Sequence, residues 1–502
     1  MSEIRRQSII SSIIVYSGFA LGILNTYLFT REGGFTKEQY GLTGAFMAIG
    51  QIMFSVASLG MPAYIYKFRP YYRSHVPRNR DEQLTLSLSV SLIGFLLVLA
   101  GGLLFKGLIN QAYANSPQVI TYYYWLFPFG FGMTLFSVLE AYGWATHHSV
   151  MTNFLRELLF RLFITALFAL TALGILKEFD QFVHLYAFTF LIIAFILVVF
   201  LLVKKEFRFT FSFSRVTLKF KRKIIAMAGF FWTGGLVYNV ASVFDTIVIA
   251  AILPNGLAAA GIYTLGQYLC SLIQAPQRAI ISASVGPLAE AWKVKDHAKI
   301  QRIYQRSSIN QLIFASAMFC LLWLNFMDGI ETFHIQSGFK EAFPVFIFIG
   351  LMRVMDMGTG INSQIIGTST YWRFEFITGI LLLALNLPLS VKLTQTMGVI
   401  GPAIANLIAF SIYNFIRFLF LYRKFGMQPF TPKTVYTLLT ASVVFIIVYY
   451  LLNNERGVIW IIGRTTLFLA LYLPAIHILK LTPDWEPVMG TVLKRLGWKK
   501  KE

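Results

Sequence analysis

About fourteen stretches of this 502-residue chain are long and apolar enough to cross the roughly 30 Å hydrocarbon core of a bilayer. They cover roughly 8–30, 38–62, 84–105, 119–146, 157–176, 182–203, 224–253, 259–283, 308–328, 342–366, 376–391, 399–421, 434–452 and 458–479. Inside lipid every backbone N–H and C=O must find a partner within the protein, which a helix supplies from its own chain. Composition agrees, with 57% of residues hydrophobic and 13% charged, against about 25% charged in soluble domains. The expected fold class is an all-α polytopic membrane protein. The first run follows MSEIRRQ as in a signal peptide, but it extends over roughly 22 residues with no small-x-small site after it, and so reads as a retained span.

The chain carries 43 Lys and Arg against 22 Asp and Glu, a formal net charge of +21. In a soluble protein that excess points to nucleic acid. Here its distribution points elsewhere. With the N-terminus placed in the cytoplasm, 31 of the 43 fall in inner segments, 7 in outer segments and 5 within spans. That asymmetry obeys the positive-inside rule with both termini cytoplasmic. The densest run holds Lys204, Lys205, Arg208, Arg215, Lys219, Lys221, Arg222 and Lys223, with Phe207, Phe209, Phe211 and Phe213 alternating with polar residues. Between two spans this combination fits anionic lipid headgroups rather than nucleic acid. The segment from Tyr64 to Arg80 and the tail with Trp498, Lys499, Lys500 and Lys501 read the same way.

Cys270 and Cys320 lie in apolar runs, so neither a disulfide framework nor a CxxC zinc site is available, and no metal site is expected. A single offset of 216 residues aligns Ser17-Gly18 with Thr233-Gly234, Gly50-Gln51 with Gly266-Gln267, Phe127-Pro128 with Phe343-Pro344, and the acid Glu140 with the acid Asp356. Such internal similarity marks a duplicated transporter bundle. The expected division is a six-helix bundle over 1–203, a basic cytoplasmic linker over 204–223, and a second six-helix bundle over 224–424. Two further helices over 425–479 and a basic cytoplasmic tail over 480–502 complete it. An even span count gives both repeats the same orientation about an axis along the membrane normal.

Polar groups inside spans are costly, and their spacing shows which face they share. The eighth stretch places Tyr263, Gln267, Cys270 or Ser271, Gln274 and Arg278 at helical intervals. The seventh places Gly235, Tyr238, Ser242 and Asp245 on one side, flanked by Asn239 and Thr246. The tenth aligns Arg353, Asp356, Gly360 and Ser363, the twelfth Asn406, Tyr413 and Arg417, and the first Ser11, Gly18, Gly22 and Asn25. Gly18 and Gly22 read as a close helix contact. Arg353 and Asp356 are spaced either to neutralise each other or to serve a cargo. Arg417 reads as snorkelling to the interface, and Pro128, Pro276, Pro344 and Pro402 as helix kinks or starts. No GxxxxGK[ST] loop and no long soluble segment is present, so movement of a cargo would be downhill or coupled to H⁺ or Na⁺. Asp245 is the first choice of coupling acid, with Asp356 and Glu140 after it.

The run NGLAAAGIYTLGQYLCSLIQAPQRAIISASVGPLAE across the eighth stretch and MGVIGPAIANLIAF opening the twelfth, within a six, six and two arrangement, resemble polysaccharide flippases. These belong to the multidrug/oligosaccharidyl-lipid/polysaccharide exporter superfamily. The resemblance implies a bacterial inner-membrane flippase that carries an undecaprenyl-pyrophosphate-linked oligosaccharide of O-antigen, capsule or exopolysaccharide type. Alternating access between two halves would move it from the inner to the outer leaflet, without catalytic residues. Polysaccharide polymerases and glycosyltransferases are the implied protein partners. For such a cargo Arg278, Arg353 and Arg161 suit the pyrophosphate, because buried cations replace its water. Gln267, Gln274, Asn25, Tyr238 and Asn239 suit the sugar hydroxyls.

Competing classes fit less well. Membrane polymerases carry a large outer loop, whereas the longest outer segment here, near 106–118, is short. His147-His148 is an isolated pair and no HExxH occurs. Multidrug exporters of the same superfamily stop at twelve spans. Lipid II flippases place Arg in the first span, where this chain has Ser11, Gly18, Gly22 and Asn25.

Overall fold

The computed structural model describes residues 3–77, 80–452 and 454–486, with side chains for all of these except 3–9, 11–13, 238, 278, 279, 282, 283, 289 and 372. The basic tail residues Trp498, Lys499, Lys500 and Lys501 lie outside the described residues. Every element described is helical. In chain order these are α1 (Glu3–Thr30), α2 (Lys37–Ala57), α3 (Met61–His75), α4 (Gln83–Leu104), α5 (Lys106–Ala112), α6 (Pro117–Thr121) and α7 (Leu126–Ala145). Next come α8 (Ser149–Asn153), α9 (Phe160–Ala172), α10 (Phe179–Ala187), α11 (Thr189–Val203), α12 (Arg215–Ile252), α13 (Gly256–Ile273) and α14 (Gln277–Lys293). The remainder are α15 (His297–Thr332), α16 (Ala342–Gly358), α17 (Asn362–Thr368), α18 (Trp372–Met397), α19 (Gly401–Phe425), α20 (Pro432–Leu452) and α21 (Val458–Ile478).

Helices overlie all fourteen expected stretches. Among the described residues nine are long and apolar enough to cross a membrane, or ten if the bent pair Ser337–Gly358 and Asn362–Thr368 is one span. The first stretch is scored only as the shorter helix Ile14–Thr30, and further features lower the number. Some stretches are interrupted, by a 3₁₀ turn at Tyr123–Trp125 and a π-helical turn at Phe154–Leu159. Elsewhere α18 and α19 run on through a 3₁₀ turn at Gly398–Ile400 while packing along each other.

The chain divides into two compact units, Met1–Gly261 and Ile262–Glu502. In the first, α2 enters through a capping box. Thr36 accepts from the Gln39 backbone at 3.3 Å and Gln39 accepts from the Thr36 backbone at 2.9 Å, satisfying two orphan N–H groups. This helix then packs against α4, α7 and α12. In lipid, helices associate through close packing rather than exclusion of water, which favours small residues at the contact. Gly41 shows why: a Cβ there would lie 1.8 Å from the Leu257 carbonyl oxygen. Phe46, Phe129, Phe182 and Tyr186 fill the space beyond, with Phe129 stacked on Tyr186 at 5.2 Å.

The second unit is organised on α15, which Asp296 caps by accepting from the Lys299 backbone at 2.8 Å. Helices α16, α20 and α21 pack on it. Asp328 and Arg464 form a buried ion pair across α15 and α21. Asp328 also accepts from Thr332 at 2.6 Å and from the Gly457 backbone at 3.0 Å.

Candidate substrate and ion site

In the second unit the eighth stretch does not form one helix. α13 stops at Ile273, a turn runs through Gln274, Ala275 and Pro276, and α14 starts at Gln277. The expected five-member stripe is therefore split, because Pro276 cannot donate the hydrogen bond that would carry the helix onward. Tyr263, Gln267 and Cys270 stay on α13, Gln274 falls in the turn, and Arg278 is the second residue of α14. The side chain of Arg278 lies outside the described residues.

The break brings amides to a carboxylate. Gln274 donates to Gln277 at 3.1 Å, and Gln277 donates to Asp356 Oδ2 at 3.2 Å. Asn414 of α19 donates to the other Asp356 oxygen at 2.9 Å, and itself accepts from Asn362 at 3.0 Å and Thr359 at 3.2 Å. A second break underlies this cluster. Gly360 has φ +70°, a left-handed conformation that favours glycine, and it ends α16 before α17 departs at a 48° bend. Two interrupted helices thus frame one polar cluster, the arrangement by which membrane carriers expose backbone and side-chain polar groups to a cargo.

Arg353 stands one turn before Asp356 on α16. Among the described residues no ion pair joins them, and Arg353 Nε is buried without a hydrogen-bond partner. Of the two readings open from the spacing, mutual neutralisation by direct contact is not what the structure shows. Arg417 does not snorkel. It is 2% exposed and pairs with Glu375, donates to Thr378 at 3.2 Å, and lies 3.7 Å over the Tyr413 ring. Glu375 also accepts from Ser363 at 2.6 Å. The expectation failed because Glu375 sits one residue before the apolar run begins, where an acid is counted as lying outside the membrane. Gln267 is half-buried on α13.

The first unit holds the other candidates, and of these the structure brings Asn25 and Arg161 together. Arg161 pairs with Glu157 at 2.8 Å and also donates to the Glu157 carbonyl at 2.8 Å. Asn25 donates to the Arg161 carbonyl at 2.9 Å and accepts from Thr165 at 2.7 Å, so its amide ties α1 to α9. Gly18 makes the close contact expected of it, since a Cβ there would meet the Glu157 carbonyl oxygen at 2.5 Å. Glu140 is buried and pairs with Arg156 of the π-helical turn. Asn239 accepts from Gln51 at 2.8 Å. Asp245 is 3% exposed on α12, and the side chain of Tyr238 lies outside the described residues.

Sequence reasoning passed over Gln277, Asn362, Asn414, Glu375 and Gln51. For Asn414 the signal was present, since it lies beside Tyr413 and three residues before Arg417 on a face already marked as polar. No group of three or more His, Cys, Asp or Glu suited to a metal ion occurs among the described residues. Both cysteines are free and buried.

A family model described as polysaccharide biosynthesis protein matches residues 4–290. No curated protein sequence matches the chain. Among solved structures, it is similar to the lipid II flippase MurJ in an inward closed conformation. Identity is 15% and the TM-score 0.72, over 94% of this chain and 98% of that one. It is also similar to an inward-facing multidrug resistance MATE family transporter of the MOP superfamily, at 14% identity and TM-score 0.63, over 83% of this chain and 98% of that one. The bent form of the Vibrio cholerae MATE transporter VcmN gives 12% identity and TM-score 0.51, over 88% and 99%. At these identities the likeness is one of fold.

Proposed function

Because the chain belongs to the polysaccharide biosynthesis protein family, we propose that it is a flippase for an undecaprenyl-pyrophosphate-linked oligosaccharide repeat unit. It moves that lipid from the inner to the outer leaflet of a bacterial inner membrane by alternating access, and transports without catalysing a bond change. The proposal takes the chain as fourteen crossings with both termini cytoplasmic. Polymerase and glycosyltransferase partners would supply and use the cargo.

The observation that carries this reading is Arg353. A guanidinium on a membrane helix, with its Nε buried and unpaired, is expensive to hold in the absence of an anion. A pyrophosphate is a suitable partner, since it accepts several charge-assisted hydrogen bonds. Arg278, at the start of the broken helix, is the second cation assigned to it. The amides of Gln274 and Gln267 are assigned to sugar hydroxyls. Arg161 is assigned a lesser part, because Glu157 already neutralises it. Asn25, Tyr238 and Asn239 are the corresponding sugar contacts of the first unit.

Coupling to H⁺ or Na⁺ is assigned to Asp245 ahead of Asp356 and Glu140. Asp245 is a nearly inaccessible acid on a membrane helix, where a carboxylate is costly to hold. The Asp245→Asn variant should lose the dependence of flux on an imposed ion gradient. Unchanged dependence would remove Asp245 from the mechanism.

A lipid II flippase is the second reading, favoured by a fold likeness that spans 94% of the chain. Reconstituted vesicles offered fluorescent undecaprenyl-pyrophosphate oligosaccharides, lipid II or cationic drugs separate the readings. The oligosaccharide should become accessible outside the vesicle fastest. Preference for lipid II would support the second reading, and drug efflux alone would indicate an exporter.

A further inference from the structure

The segment between α11 and α12 is a strap whose main chain is pinned while three of its aromatic side chains are exposed. Lys205, with φ 57°, turns the chain out of α11. From there the main chain is held by its neighbours: Tyr142 of α7 donates to the Glu206 carbonyl at 2.9 Å. Thr85 of α4 donates to the Arg208 carbonyl at 3.4 Å and accepts from the Thr210 N–H at 3.1 Å. Glu82 accepts from the Ser214 N–H at 2.8 Å. Phe207 is buried, with its ring 4.6 Å from that of Phe209.

None of these anchors uses the next three odd-numbered side chains. Phe209, Phe211 and Phe213 are 62%, 80% and 61% exposed. The fixed carbonyls and N–H groups hold the main chain while these three phenyl rings, Phe213 beyond a bend at Ser212, stay uncovered by the protein. Exposed cations surround them, at Lys204, Lys205, Arg208, Arg215, Lys219, Lys221, Arg222 and Lys223, and residues 204–223 contain only one acid, Glu206. Helix α3 continues the same chemistry with exposed Lys67, Tyr71 and Arg73 above a buried face of Tyr64, Phe68 and Tyr72. Its Phe68 and Tyr71 rings lie 6.0 and 5.6 Å from Phe220.

We propose that Phe209, Phe211 and Phe213 form a rigid foot that inserts into the adjacent leaflet, with the surrounding Lys and Arg binding anionic lipid headgroups. The occupant is the bilayer rather than a soluble partner. α11 and α12 both lie in candidate spans, and a strap tied down along its length cannot carry its rings away from the surface those spans enter. Phenyl rings prefer the headgroup and acyl boundary, and clustered Lys and Arg favour anionic lipid. This proposal does not depend on which cargo the protein carries.

The buried native cysteines allow a test in the full-length protein, because one introduced thiol can be labelled selectively. Nitroxides placed by Phe209→Cys, Phe211→Cys, Ser212→Cys and Phe213→Cys are compared in detergent, in phosphatidylcholine vesicles, and in vesicles with about 30% phosphatidylglycerol. In the anionic vesicles the oxygen-to-nickel-chelate collision ratio should rise severalfold at 209, 211 and 213 and far less at 212. Combining Phe211→Cys with Lys219→Glu and Arg222→Glu should lower the rise at 211. Equal aqueous ratios at all four positions in every vesicle would overturn the proposal. So would protection that appears only on adding cytosolic protein.

Discussion

Arg353 and Arg417 share a residue type and a helical environment, yet Arg417 pairs with Glu375 while Arg353 Nε is buried without a partner. Arg417 is saturated by Glu375, Thr378 and Tyr413. Removing one partner of such a pair leaves a buried charge uncompensated, so Arg417→Met should lower stability by about 3 kcal/mol, read as a fall in melting temperature in detergent. Restoring balance with Glu375→Met in the same chain should recover most of the loss. Arg353 has no ion-pair partner to lose, and Arg353→Ala should leave the melting temperature nearly unchanged while reducing flux. Both arginines were legible as intramembrane cations from their positions in apolar runs. Their difference was not, because it depends on Glu375, distant in sequence from Arg417 and outside the apolar run, and on amides that reach Asp356 from α14 and α19.

At the level of elements, the 216-residue offset that aligns the sequence also relates some local contacts. Phe127-Pro128 and Phe343-Pro344 each occupy the second and third positions of a helix, in α7 and α16. Gly50 packs against Phe129 and Gly266 against Val345, two contacts related by the same 216-residue offset. The helices themselves were readable because a spanning segment must be apolar throughout. Of their interruptions, the turn at 274–276 was foreshadowed by Pro276, whereas the π-helical turn at Phe154–Leu159 carries no Pro or Gly to mark it. Close helix contacts yield a direct test. Gly41→Ala would drive a Cβ into the Leu257 carbonyl, whereas Gly101 has nothing within 4 Å. The first substitution should cost about 1–3 kcal/mol; the second should be neutral or stabilise by up to about 1 kcal/mol. Thermal melts of the two purified variants check this pair. The Asp328–Arg464 link predicts likewise that Arg464→Met loosens α21 from α15, with a loss of about 3–5 kcal/mol.

For the molecule as a whole, hydropathy and the distribution of Lys and Arg supplied the fold class and an orientation. The family model then places the chain among polysaccharide biosynthesis proteins. The proposed cargo contacts are a few polar groups on separate helices, so they were legible only as a set of candidates. The orientation is checked by single cysteines at Lys106 and Lys295, which should react with an impermeant reagent outside and inside the cell respectively. Arg353 is the residue proposed to take the pyrophosphate. The direct test is the rate at which a fluorescent undecaprenyl-pyrophosphate oligosaccharide reaches the outer face of vesicles containing the wild-type protein or Arg353→Ala. The wild type should accelerate that appearance well above empty vesicles and Arg353→Ala should slow it about tenfold or more. Equal rates for the two proteins, or no acceleration by the wild type across a panel of glycans, would contradict the account.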